Sequence, residues 1–242
     1  MALFTDGPMN SIEDLRAQDS QLAEMASSEG VDLTQKLSLA QEQIGTELEL
    51  LLTGRYGLNN VVATLPLVLW HNYRTLEMSY ADACFSHFND RYQAKRDQFR
   101  DLAKWAHERL IQLGVGIAAL PVPRAEAPAL SAVQGFSPPG TYYATMTWVN
   151  DAGEEGAVAT GSTIEITSGS ISVTPKPAPP CARGWNVYVG PGPDEMVLQN
   201  ESPLGLDEGW SPNGAVKQEG RSPGTGQSPT LTLAVPRVLP RG

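Results

Sequence analysis

Cysteine is nearly absent from this chain of 242 residues: Cys84 and Cys181 are all it has. A scaffold stapled by disulfides needs several pairs, so the fold is expected to rest on ordinary cores, in a reducing compartment, with both thiols free. Histidine is limited to His71, His87 and His107. A zinc site needs three or four ligands at recognisable spacing. Cys84 and His87 stand three apart with no second pair to complete them, so neither metal nor cofactor is expected. No apolar run reaches the roughly 20 residues of a membrane helix, and the opening MALFTDGPMN has no basic region or apolar core of a signal peptide. Neither membrane insertion nor secretion is expected. Basic residues are short as well: 17 Lys and Arg against 27 Asp and Glu give a net charge of −10. That disfavours sequence-specific nucleic-acid binding, but suits a surface past which nucleic acid slides.

The motifs of catalysis are missing too. The glycine pairs Gly114/Gly116 and Gly190/Gly192 do not sit between a strand and a helix, where phosphate cradling requires them. No nucleophile elbow, His-Glu-x-x-His pair or Ser/His/Asp set is readable, and the acidic pair Glu154–Glu155 falls in a turn. The chain does not read as an enzyme.

What is present is unevenly spread. Residues 1–123 hold 7 of the 23 glycines and 4 of the 19 prolines. A helix-compatible half therefore precedes a turn-rich half, each large enough to bury a core. The acidic excess is shared: 10 basic against 16 acidic residues up to Pro123, and 7 against 11 after it.

Apolar residues in the first half recur at helical spacing. Ser11 with Asp14 predicts a capped helix start, and Gly30 its end; Asp32 with Gln35 opens a second helix that ends at Gly54. A third begins near Pro66 and is apolar nearly all round, from Leu67 and Trp70 to Phe85 and Phe88, so it is expected to be buried on more than one side. The fourth and longest spans Asn89 to Gly116. Tyr92, Phe99, Leu102, Ala103, Ala106, Leu110 and Leu113 share one arc, with Asp97, Arg100, Asp101, Lys104 and Glu108 opposite. About four helices in a bundle are predicted over 1–120.

Residues 121–136 read as a Pro/Ala-rich linker. From Thr141 the apolar period changes to 2: TYYATMTWV, STIEI, SISVT and GWNVYV alternate between turn clusters. STIEI and SISVT flank Thr-Ser-Gly and are expected to pair as a hairpin. Short strands with frequent turns predict a β-sandwich over 137–217. Residues 218–242 form a polar Gly/Pro-rich arm, expected to order where another chain holds it. The overall expectation is an α+β multidomain protein: helical bundle, sandwich, extended arm.

Three sets of residues are candidates for contact. Arg96, Arg100 and Lys104 recur at four-residue steps with Asp97 and Asp101 between them. That stripe suits DNA in a channel or neighbouring subunits, and the alternating signs favour the subunits. Trp105 lies at the edge of the apolar arc, a place for an interface aromatic, whereas Trp70, Trp148, Trp185 and Trp210 read as core. In the arm, Leu231, Leu233, Val235, Arg237, Leu239 and Arg241 are candidates to touch a partner.

The run NDRYQAKRDQFRDLAKWAHERLIQLGVG, the preceding WHNYRTLEMSYADACFSHFNDR and the opening LFTDGPMNSIEDLRAQDSQLAEMASSEGVDL resemble the helical part of tailed-bacteriophage head–tail adaptor (head-completion, connector) proteins. GTYYATMTWVNDAGEEGAVA and GWNVYVGPGP are similar to fibronectin type III-like modules on phage structural proteins, and VPRVLPRG resembles the terminal arm of phage neck proteins. The resemblance implies a viral structural protein in the virion neck, assembled in the host bacterial cytoplasm. It implies a ring of about twelve copies docked beneath the portal protein, extending the DNA channel toward the next neck or tail protein. The alternative is an adhesion or carbohydrate-binding module in the second half, oligomerised by the helices.

Overall fold

The computed structural model describes residues 1–52, 54–86 and 90–235. The fold is mixed α+β, with helices and antiparallel strands in separate parts of the chain. It divides into two compact units, and the chain passes between them more than once: Met1–Asp6 with Leu120–Ser228 form one, Gly7–Ala119 with the described residues 229–235 the other.

The helical unit contains α1 (Ile12–Gln18), α2 (Leu22–Glu29), α3 (Leu33–Leu52), α4 (Leu65–Ser86) and α5 (Gln93–Leu113). Ser11 caps α1 in a full capping box with Asp14, and Gly30 ends α2 in the left-handed conformation at φ 71°. Asp32 caps α3 by accepting from the N–H groups of Thr34 and Gln35 at 2.9 and 3.1 Å. The first predicted helix is in fact two. Asp19 leaves helical geometry at φ −146°, ψ 104°, and its carboxylate accepts from the Gln21 N–H at 3.1 Å, restarting the chain as α2. A short acidic side chain that bonds its own backbone competes with helix continuation.

The core of this unit is Leu15, Leu22, Met25, Leu37, Leu76, Tyr80, Tyr92 and Phe99. Tyr80 is central, its ring 5.7 Å from Phe99 and 5.9 Å from Tyr92. As its sequence suggests, α4 is buried on several sides. Thr75 and Ser79 lie inside the packing and spend their hydroxyls on the carbonyls of His71 and Thr75, both at 2.8 Å. After Gly114, β1 (Val115–Ile117) pairs antiparallel with β8 (Leu231–Leu233).

The second unit contains β2 (Ala129–Val133), β3 (Gly140–Val149), β4 (Ser162–Ile166), β5 (Ser170–Thr174), β6 (Gly184–Gly190) and β7 (Val197–Leu198). One sheet has the order β4-β3-β6-β7 and the other pairs β2 with β5, all antiparallel. Alternation carries Ala144, Met146, Trp148, Trp185, Val187 and Val189 from the first sheet, and Ile171 and Val173 from the second, into one shared core.

Three expectations are corrected here. The stretch 121–136 is not a plain linker, because Ala129–Val133 is a strand paired along its whole length with β5. STIEI and SISVT are not a hairpin: β4 pairs with β3 and β5 with β2, so the chain crosses between sheets at residues 167–169. Crossing lets Ile166 and Ile171 meet the core from opposite sides. The arm, expected to need another chain, is held by its own as far as Leu233.

Candidate functional site

The α5 helix presents the residues singled out by the sequence. Phe99, Ala103, Ala106 and Leu110 are buried, and Leu113, assigned to the same arc, is exposed near the helix end. Arg100, Asp101, Lys104, Trp105 and Glu108 are exposed. The stripe is not uniform. Arg96 bonds Asp97 at 2.8 Å and Arg100 lies 3.3 Å from the same carboxylate, so local pairing absorbs those charges. Asp97 also holds the Arg96 guanidinium above its ordinary range through that hydrogen bond. Asp101, Lys104 and Glu108 form no ion pair among the described residues. Trp105 is 44% exposed, with the Arg109 guanidinium carbon 5.7 Å from its ring centre.

Lys104 and Arg100 also border a groove of ≈ 440 Å³ shared by α3, α4 and α5. Arg74 lines it but is already used, bonding Gln43 at 2.9 Å and Glu77 at 2.7 Å. His107 lies 4.6 Å from Trp70, ring centre to ring centre. Its Nε2 sits 3.0 Å from a Glu47 oxygen, yet off the N–H axis, so that nitrogen completes no hydrogen bond. This groove leaves no mark in the sequence, because its walls come from three helices.

The other histidine of the described chain is structural. Asn10 Nδ2 donates to His71 Nδ1 at 2.8 Å, and His71 Nε2–H donates to the Leu37 carbonyl at 3.0 Å. Both nitrogens are satisfied by a neutral ring. Burial lowers its proton affinity, outweighing the opposing pull of the Leu37 carbonyl. Cys84 is buried too, and burial pushes its thiol up; His87 lies outside the described residues. No group of three metal-capable side chains exists among the described residues, and no described helix is long and apolar enough to cross a membrane.

Beneath α5 lies a buried charge. The Asp19 side chain is 3% exposed and takes Lys95 Nζ at 2.8 Å and the Tyr80 hydroxyl at 2.7 Å. Burial alone would raise this carboxyl; hydrogen bonds from Lys95, Tyr80 and the Gln21 N–H outweigh it and hold the group below its ordinary value. One carboxylate thereby ties the α1–α2 joint to α4 and α5.

The arm candidates separate in space. Leu231 and Leu233 lie in β8, opposite Ile117 and Val115. Val235 follows the strand, and Arg237, Leu239 and Arg241 lie outside the described residues. Thr230 N–H donates to the Ile117 carbonyl at 2.8 Å, and Thr230 Oγ1 accepts from the Ala119 N–H at 3.2 Å. Gly114, at φ +86°, makes room: a Cβ there would meet Thr232 Cγ2 at 2.6 Å.

In the other unit, the second face of β3 and β6 carries Thr145, Thr147, Asn186 and Tyr188, all buried. Glu155 gathers this polar face, accepting from Tyr188 Oη at 2.8 Å, from Asn186 Nδ2 and from Arg221. Burial and the Glu155 bond both raise the Tyr188 phenol. The arm is anchored again where Gln227 accepts from Val122 N–H at 2.6 Å and donates to the Leu120 carbonyl at 3.0 Å.

Compared with known proteins, the chain matches no family model and no curated protein.

Proposed function

We propose that this chain is a structural adaptor of a tailed-phage virion neck, forming a ring of about a dozen copies under the portal protein. In this reading the ring joins capsid and portal to the next neck or tail protein and lets DNA pass without specific contact. The second unit is a fibronectin type III-like module carried on the outside.

The observation that carries the reading is the outer face of α5. Asp101, Lys104 and Glu108 stand exposed in alternating sign, with no ion pair inside the described chain, beside an exposed Trp105. A helix face with unspent charges of both signs and an aromatic anchor suits identical neighbours, each offering to the next what it lacks. A DNA-lining surface needs one dominant sign, which the face does not have.

The double variant Arg100→Glu with Lys104→Glu tests the assignment. Loss of assembly on portal rings, with the helical signal in circular dichroism intact, supports it. Normal assembly with altered DNA ejection places these side chains on the channel and overturns it.

A further inference from the structure

The second unit contains a cleft that the adaptor reading does not use. It has a volume of ≈ 560 Å³ and is walled by residues of the 199–217 segment. That volume falls within the range of small-molecule sites, about 300–1,000 Å³.

The inner wall is rigid because its buried polar groups are fully committed. Gln199 accepts from Lys217 N–H at 2.9 Å, and its amide donates to the carbonyls of Val197 and Lys217 at 3.0 and 3.1 Å. Asn200 accepts from Val187 N–H at 2.9 Å and donates to Asn186 and to the Ser202 carbonyl at 2.7 and 2.8 Å. The Trp185 indole N–H reaches the carbonyls of Gly205 and Glu208 at 3.0 and 3.1 Å. Each bond fixes a wall from the core side, so the cleft is shaped in advance of any ligand.

The rim is the opposite. The side chains of Glu201, Ser211, Asn213 and Lys217 line the same cleft and make no hydrogen bond or ion pair among the described residues. Beside them Trp210 is only half-buried, packed on the core from one side.

We propose that this cleft binds a short neutral oligosaccharide. Trp210 offers an apolar platform for the C–H face of a pyranose ring, and an aromatic with one dry side and one wet side suits that role. The planar carboxylate of Glu201 and amide of Asn213 suit vicinal hydroxyls, which both donate and accept. The cleft has no arginine fork for a phosphate or sulfate. An extended peptide finds no free strand edge, because Trp210 already pairs in both directions with Val173 and Leu204 with Trp185.

This site is independent of ring assembly, so either proposal can fail alone. The test uses the full chain on an array of neutral oligosaccharides, both acetamido-sugar chains of cell-wall type and plain hexose chains. Calorimetric titration of the best trisaccharide follows. Binding by the wild type, weakened about tenfold or more in Asn213→Ala and Glu201→Gln, and abolished in Trp210→Ala, is the expected result. The two rim variants remove exposed side chains, so they separate lost binding from lost folding. No neutral saccharide bound at millimolar concentration overturns the proposal. So does binding that none of the three variants changes, or binding confined to acidic glycans or peptides.

Discussion

Removing the Asp19 carboxylate should be the most damaging single polar change in the helical unit. The magnitude follows from its three partners. The Tyr80 hydroxyl is fully enclosed and, without its acceptor at 2.7 Å, is left unsatisfied at a cost of about 1–3 kcal/mol. The Gln21 N–H loses its hydrogen bond at 3.1 Å, worth about 0.5–1.5 kcal/mol. Lys95 is 38% exposed and can turn to water, so its share is nearer the 0.2–1 kcal/mol of exposed pairs. Asp19→Ala should therefore cost about 3–4 kcal/mol in all, close to the range for breaking one side of a buried pair. Asp19→Asn should cost less because it keeps one acceptor oxygen, and Lys95→Ala about 1–3 kcal/mol, because it leaves the enclosed carboxylate without its cation. Urea unfolding followed by far-ultraviolet circular dichroism reads the helical unit, and a cycle combining Tyr80→Phe with Asp19→Asn should show coupling of about 1 kcal/mol. Asp19→Ala within about 0.5 kcal/mol of wild type, or Lys95→Ala costing more than Asp19→Ala, refutes the reasoning.

Two further outcomes follow from the same physics. His71 is held below its ordinary value of 6.5, so the unfolded chain binds the proton more readily. Stability is then complete above that value and falls as pH drops below it, by at most about 1.4 kcal/mol per pH unit; His71→Gln should flatten that part of the urea-midpoint profile, and an unchanged slope contradicts it. At Gly114, alanine adds a Cβ against Thr232 and strains a backbone at φ 86°, ψ 165°, a region essentially reserved to glycine, by about 1–3 kcal/mol. Hydrogen exchange at Thr230 and along β1–β8 should speed up while the α4 and α5 amides stay protected; equal protection at Thr230 shows that the arm does not depend on that space.

The helices were readable because burial imposes a 3.6-residue period that survives in the sequence of α3 and α5, while α4 shows as a long run that is apolar nearly all round. The break at Asp19 was not, because Tyr80 and Lys95, which hold its carboxylate, lie 61 and 76 residues away. Alternation marked β3 to β6 as strands but carries no record of their partners, so β4 and β5 looked like a hairpin. The strand β1 is three residues of Val-Gly-Ile, too short for any period, and β2 is hidden in a Pro/Ala-rich stretch with mostly exposed side chains. The exposed face of α5 was legible as a charged arc, but which charges pair with each other depends on rotamers. The cleft beside Trp210 was invisible, since its rigidity comes from amides at Gln199 and Asn200 that look like ordinary loop residues.

If the helical unit carries assembly as proposed, the mass of the full chain mixed with portal rings shows it. The expected product is a complex heavier than the portal by about a dozen copies of the chain, reduced when Lys104 is reversed in charge. A chain that stays monomeric in the presence of portal contradicts it.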